Sequence, residues 1–260
     1  MKNLSIYIIC VLASLLASCD DIDRNDRLIY EKPASAKRAV LIEDFTGQRC
    51  VNCPTATNVI EQVLETYGDE ALIVVGIHGG PLSFAGNATT LGLATDIGNE
   101  YYDHWGLQYQ PVGLVDRHSP IDYPEWTSAI KEELTKPAPL SLKADAAVDS
   151  DGNISIHIEA YGTDGSTSGK LQVWLLEDGI TALQMMPDGT ANRNYVHNHV
   201  LRTPVNGTWG EDFSIGEGES KSFEYIQQPD DAWDISQLSI VAFVYNDNGV
   251  QQATKVELKD

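Results

Sequence analysis

The sequence predicts an α/β domain over residues 39–136 followed by an all-β sandwich over 137–260. Three observations carry this. Up to residue 136, apolar runs of strand length alternate with stretches whose apolar residues recur at three and four. After 137-PAP-139 the pattern changes to period two, with turns rich in Gly, Asn and Asp between the runs. At 260 residues, the chain is long enough for two domains of ordinary size.

The opening MKNLSIYIICVLASLLASCDD has one positive charge, at Lys2, an uncharged apolar run from Leu4 to Ala17, and the small Ser18 before Cys19. That run is short for a bilayer span and ends at a small-residue cleavage signature, so 1–18 reads as an export signal. The segment 16-LASC-19 resembles the lipobox of bacterial lipoproteins. The resemblance implies that Cys19 becomes the N-terminus and carries lipid, attaching the protein to a membrane. Residues 19–38 are polar, contain Pro33 and lack periodicity, as suits a tether.

The first domain opens with 39-AVLIEDF-45, a run of strand length. After the TGQR turn, Ala56, Val59, Ile60, Val63, Leu64 and Tyr67 line one helix face, and Gly68 stops it. Next, 71-ALIVVGIH-78 is β-branched and almost wholly apolar, as in a strand covered on both faces. These three elements make a right-handed βαβ unit with a parallel strand pair. Further helices are predicted around 93–106 and over 124–134, with a strand opened by proline at 110-QPVGLVDR-117 between them. In the second domain, runs at 140–148, 154–161, 170–177, 195–202, 221–227, 238–246 and 252–258 make seven short strands. That number and spacing predict a sandwich of immunoglobulin-like kind without its disulfide.

Charge narrows the partners. Lys and Arg total 17 against 38 Asp and Glu, a formal charge of -21 spread along the chain. Such a surface repels phosphate backbones, so nucleic acid is not an expected partner. Of the four cysteines, Cys10 leaves with the signal and Cys19 takes lipid, which leaves Cys50 and Cys53 in an exported compartment.

The C-x-x-C of 45-FTGQRCVNCPTAT-57 falls where the first strand ends and the helix begins. Helix-terminal amides favour a thiolate there. Cys50 is therefore the expected attacking sulfur and Cys53 the resolving one, with Arg49 as an auxiliary positive charge. The stretch 44-DFTGQRCVNC-53 resembles the thioredoxin fold at its active-site turn, and the predicted fold is accordingly an α/β thioredoxin-like domain followed by an immunoglobulin-like sandwich. The resemblance implies that Asp44 relays the proton of the resolving thiol, and that Pro111 is a cis-proline facing the cysteines. Arg49, Val51, Asn52 and Pro54 depart from that family's usual residues. Across the mature chain, the lipobox, GQRCVNCP, VVGIHGGP, QPVGLVDR and 195-YVHNHVLR-202 resemble the outer-membrane lipoprotein of twenty-eight kilodaltons and its relatives in Gram-negative anaerobes. This implies a lipid-anchored outer-membrane protein on the periplasmic or cell-surface face.

Two functions follow. One is thiol–disulfide exchange on the thiols or disulfides of exported proteins, with no cofactor. The other is a non-catalytic lipoprotein whose domains bind a protein or glycan. His78, at the end of the second strand, is an auxiliary residue that could join the cysteines on a soft metal. A hydrogen-bonded turn histidine is the plainer reading, and no metal is expected. His197 and His199 lie on one side of a predicted strand as half a zinc site or an inter-strand pair. Tyr101, Tyr102 and Trp105 read as core, with a groove floor as the alternative. In 149-DSDGN-153 a hairpin turn accounts for the acidic residues.

Overall fold

The computed structural model describes residues 32–259. The first strand, β1 (Val40–Thr46), is buried at every position, as is β2 (Leu72–His78). Between them α1 (Cys53–Tyr67) buries Cys53, Pro54, Ala56, Ile60 and Val63. The two strands pair in parallel, from Val40 opposite Leu72 to Thr46 opposite His78. A second helix, α2 (Asp96–His104), starts with the Thr95 side chain accepting a hydrogen bond from the Gly98 amide. It leads to β3 (Val112–Val115), antiparallel to β1, and then to α3 (Trp126–Glu133), whose Trp126 and Ile130 are buried. The predicted strand at 110–117 is longer than the observed one. Asp116 and Arg117 take positive φ values of 48° and 59°, which turn the chain out of extended geometry.

Ten strands follow: β4 (Leu140–Val148), β5 (Ile154–Gly162), β6 (Ser166–Glu177), β7 (Ile180–Met185), β8 (Ala191–His197), β9 (Val200–Pro204), β10 (Glu211–Gly216), β11 (Ser220–Gln227), β12 (Leu238–Asn246) and β13 (Gly249–Glu257). The predicted run 195–202 is two strands, because the chain breaks at His199, which has φ 58°. The path of the large sheet is β13-β12-β6-β9-β2-β1-β3, with β10 added beside β6. A three-stranded sheet, β11-β5-β4, packs over it through Ile154, Ile156 and Ile158, which meet Leu171, Val173, Ile240 and Ala242. A third, two-stranded sheet is the β7-β8 hairpin.

This arrangement corrects the predicted fold class. A thioredoxin-like α/β domain followed by an immunoglobulin-like sandwich is not what the chain forms: it is mostly β, with thirteen strands against three α-helices among the described residues. The parallel β1–β2 pair exists, but its sheet does not stop there. The Gly76 amide of β2 donates to the carbonyl of His199, and Gly76 pairs with Val200 of β9. Through β9 the strands from the first part join β6, β12 and β13, and one apolar layer runs from Phe45, Val75 and Ile77 to Trp174, Phe243 and Val250. Pro33–Asp260 forms one compact unit. Among the described residues no helix is long and apolar enough to cross a membrane.

Candidate functional site around the Cys50–Cys53 disulfide

At the end of β1 the chain passes through Gly47, where backbone packs directly on backbone. A Cβ at this position would lie 2.4 Å from the carbonyl oxygen of Leu82, so a side chain is excluded. The Arg49 amide donates to that same Leu82 carbonyl, and the Cys50 amide donates to the carbonyl of Gly47. The turn is thereby fixed before α1 begins. Cys50 and Cys53 form a disulfide with a Cα–Cα distance of 5.4 Å. The Cys53 amide, one of the helix-terminal N–H groups without a carbonyl partner in the helix, donates to the sulfur of Cys50 at 3.1 Å. On reduction, this bond and the positive end of the helix favour negative charge on Cys50. Both residues are nevertheless buried, at 1% and 2% exposure.

What buries them is the β7-β8 hairpin. Gln184 donates from Nε2 to the carbonyls of Cys50 at 2.8 Å and Met185 at 3.0 Å. Gln48, itself fully buried, donates to the carbonyls of Leu91 and Leu183 and accepts from the Leu93 amide. The Met185 amide donates to the Gln48 carbonyl. Further along, Tyr195 of β8 and Thr57 of α1 line the same space between hairpin and helix. None of these residues stands out in the sequence, since single amide side chains at long separation leave no periodic trace. Gln184→Ala leaves the Cys50 carbonyl without its donor, and is expected to cost about 1–3 kcal/mol. Denaturant midpoints should show the loss, and hydrogen exchange should place it in residues 180–197.

Under the hairpin lies a cavity of about 260 Å³, lined by Asp44, Cys53, His78, Gln184, Tyr195 and His197 among others. Asp44 is 5% exposed, and its Oδ1 has no hydrogen-bond partner. Burial alone lifts its carboxyl from 3.8 to about 7. His78, 2% exposed at the end of β2, has an unpartnered Nδ1; burial, with the nearby His197 and Arg202, holds its imidazole well below the ordinary value. His197 packs edge-on against it, ring centres 5.4 Å apart, and burial takes its own imidazole down to about 4. Both rings are neutral at pH 7. Among the described residues no group of three or more His, Cys, Asp or Glu side chains is placed to hold a metal ion.

The Asp44 shift has a measurable sign. Below pH 3.8 folded and unfolded chains both hold the proton. Between 3.8 and about 7 the folded state keeps a proton that the unfolded chain has released, so the wild type loses stability as pH rises and levels off above about 7. Asp44→Asn is therefore expected to match the wild type near pH 3 and to exceed it by roughly 4 kcal/mol at pH 8. Denaturant titrations across that range check it, and a difference independent of pH would contradict it.

The remaining predicted residues are placed as follows. The Gln110–Pro111 peptide is cis, and Pro111 precedes Val112, which pairs with Phe45, so it stands at the sheet end from which the cysteine turn leaves. The Gln110 side chain ties the region together, donating to the carbonyls of Thr46 and Gly79 and accepting from the Leu82 amide. Arg49 lies with its guanidinium over the ring of Phe84, 4.8 Å from its centre. His199 is in the turn after β8 beside Asp178, not on a strand face with His197. Tyr101 and Tyr102 are buried core residues. Asp149 closes a hairpin turn by accepting from the amides of Asp151 and Asn153. Cys19 lies outside the described residues.

The sequence profile of the family described as outer membrane protein Omp28 matches residues 98–260. Among solved structures, HBP35 of Porphyromonas gingivalis superposes with a TM-score of 0.67 at 16% identity, covering 86% of this chain and 76% of that one. At that identity the likeness shows a shared fold alone. A domain of the outer membrane lipoprotein Omp28 from Porphyromonas gingivalis is 27% identical, with a TM-score of 0.36, over 47% of this chain and 89% of that one. No curated protein matches the chain in sequence. With well over half its length matched by the family profile, this chain belongs to the Omp28 family of outer-membrane proteins.

Proposed function

We propose that this outer-membrane lipoprotein carries out thiol–disulfide exchange on exported proteins through Cys50 and Cys53, anchored by lipid on Cys19. The observation that carries the reading is the pairing of a helix-terminal disulfide with an unpartnered buried carboxyl. Cys50 Sγ accepts the Cys53 amide, and Asp44, whose carboxyl titrates at about 7, lines the same cavity as Cys53. Cys50 is the nucleophile, and its thiolate is favoured by the N–H it accepts. Cys53 resolves the mixed disulfide, and Asp44 takes its proton. Pro111 borders the turn, Arg49 adds positive charge to its exposed rim, and His78 sets the dryness around Asp44.

The burial of both sulfurs under the hairpin favours a second reading, in which the disulfide braces a protein- or glycan-binding lipoprotein. Measuring the reduction potential of the pair, together with insulin reduction by wild type and Cys50→Ser, separates the two. Exchange requires a potential within reach of biological thiols and activity lost in Cys50→Ser. A disulfide that stays closed against dithiols, with no turnover in the wild type, leaves the binding reading.

A further inference from the structure

A disulfide whose residues are 1% and 2% exposed can be reduced only through some opening, and the cavity beneath β8 is one. It touches Cys53 and not Cys50. We infer that this cavity is a binding site for a small cationic aminothiol, which enters beside Glu61 and Tyr195 and reduces the protein by attacking the sulfur of Cys53. The inference rests on the exchange reading and supplies the electrons that reading requires.

Three features support this site. Its volume, about 260 Å³, is several times the ~30 Å³ share of one water in the liquid, enough for a thiol of a few heavy atoms and too small for a folded chain. Its charge leans negative: Glu61 lines it, with Asp44 adding charge as it ionises near pH 7, no lysine or arginine lines it, nearby Arg202 is paired with Glu177, and burial holds the imidazoles of His78, His197 and His199 below the ordinary value. An ammonium-bearing thiol is favoured there and a carboxylate-bearing one is repelled. The third feature is the leaving group. Exchange is fastest when the departing sulfur is the better-stabilised thiolate, and Cys50, with the Cys53 amide at 3.1 Å, is that sulfur.

The chemistry balances as follows. The entering thiol gives its proton to the free Oδ1 of Asp44, and its sulfur bonds to Cys53 Sγ as the Cys53–Cys50 bond breaks, with Cys50 leaving as thiolate. A second aminothiol, its proton passing to the Cys50 thiolate, then attacks the bound thiol's sulfur, forming the small disulfide and releasing Cys53, which recovers a proton from Asp44. Two small thiols are oxidised and one protein disulfide is reduced.

The test uses the oxidised full-length wild type. It is mixed with cysteamine at neutral pH, quenched in acid, alkylated and mapped by mass spectrometry. In the trapped intermediate the cysteamine adduct should sit on Cys53 and the alkyl group on Cys50. Corrected for thiolate fraction, cysteamine should reduce the protein on the order of tenfold faster than 3-mercaptopropionate. An adduct on Cys50, or equal rates for the two thiols, overturns the inference. So does exchange with a reduced protein dithiol in the absence of any reduction by cysteamine, an outcome that leaves the exchange reading standing. If neither the small thiol nor the protein dithiol opens the disulfide, the exchange reading itself fails.

Discussion

If Cys50 and Cys53 exchange with partner proteins as proposed, serine in place of Cys53 is expected to turn transient partners into trapped ones. In the reduced protein the sulfur of Cys50 sits where the Cys53 amide points at it, an interaction that belongs to the backbone and survives the substitution. Attack on a partner disulfide then proceeds, while the thiol that would release the mixed disulfide is gone. Non-reducing gels of the membrane fraction should show partner-linked species that disappear with reductant and are absent from Cys50→Ser. Asp44→Asn keeps both sulfurs but removes the acceptor for the resolving proton. It should slow release of the mixed disulfide by about 10²–10⁴-fold, the usual range for a positioned general base, with little effect on its formation. Stopped-flow measurements of the two phases distinguish these steps. If Cys53→Ser captures nothing at all, the disulfide is a brace.

The second large effect is structural and lies one residue from the first. Glu43 and Arg117 form a buried ion pair, with side chains 0% and 2% exposed and Arg117 Nη2 3.3 Å from Glu43 Oε1. The guanidinium also lies over three rings, 4.1 Å from the centre of Tyr245, 4.7 Å from Phe243 and 5.3 Å from Trp174. Burial dominates the Glu43 carboxyl and pushes it up, with Arg117 pulling the other way. Removing the arginine leaves that carboxylate alone in an apolar layer, and Arg117→Ala is expected to lose about 3–5 kcal/mol. Because the cost comes from the stranded charge, Glu43→Gln with Arg117→Met should recover much of it. Urea denaturation of the single and double variants measures this directly. Additive losses would mean that the pair is not coupled.

Much of the local structure around the cysteines was legible in the sequence, and much of its setting was not. The apolar run of β1 and the three-and-four spacing of Ala56, Ile60 and Val63 locate the strand and helix that bring Cys50 and Cys53 together, because periodicity reports burial within one element. It says nothing about which element lies alongside. The junction of β2 with β9 is a single residue pair, Gly76 with Val200, made by backbone groups that any sequence carries. The roof over the cysteines was hidden for a related reason. Strand β8 is exposed at most of its positions and reads as polar, while Gln184 and Gln48 act through amides whose partners lie 134 and 135 residues away. The departure of Asp116 and Arg117 from the strand is only half marked in the sequence, since Asp is among the residues enriched at positive φ but Arg is not, and a lone Asp at the end of an apolar run occurs as often in extended chain.

The continuity of the large sheet bears on how the protein can be handled. Every residue of β2 from Leu72 to His78 is buried, and one of its edges is held by β9, a strand more than a hundred positions later. A fragment ended at the proline pair 137–139 would present that edge as an unpaired apolar ribbon, the kind of surface that recruits strands from other molecules. Such a fragment is expected to precipitate during expression even if its own helices form. During export, too, β2 must wait uncovered until β9 emerges, so the interval between their translocation is when a periplasmic holding chaperone would matter most.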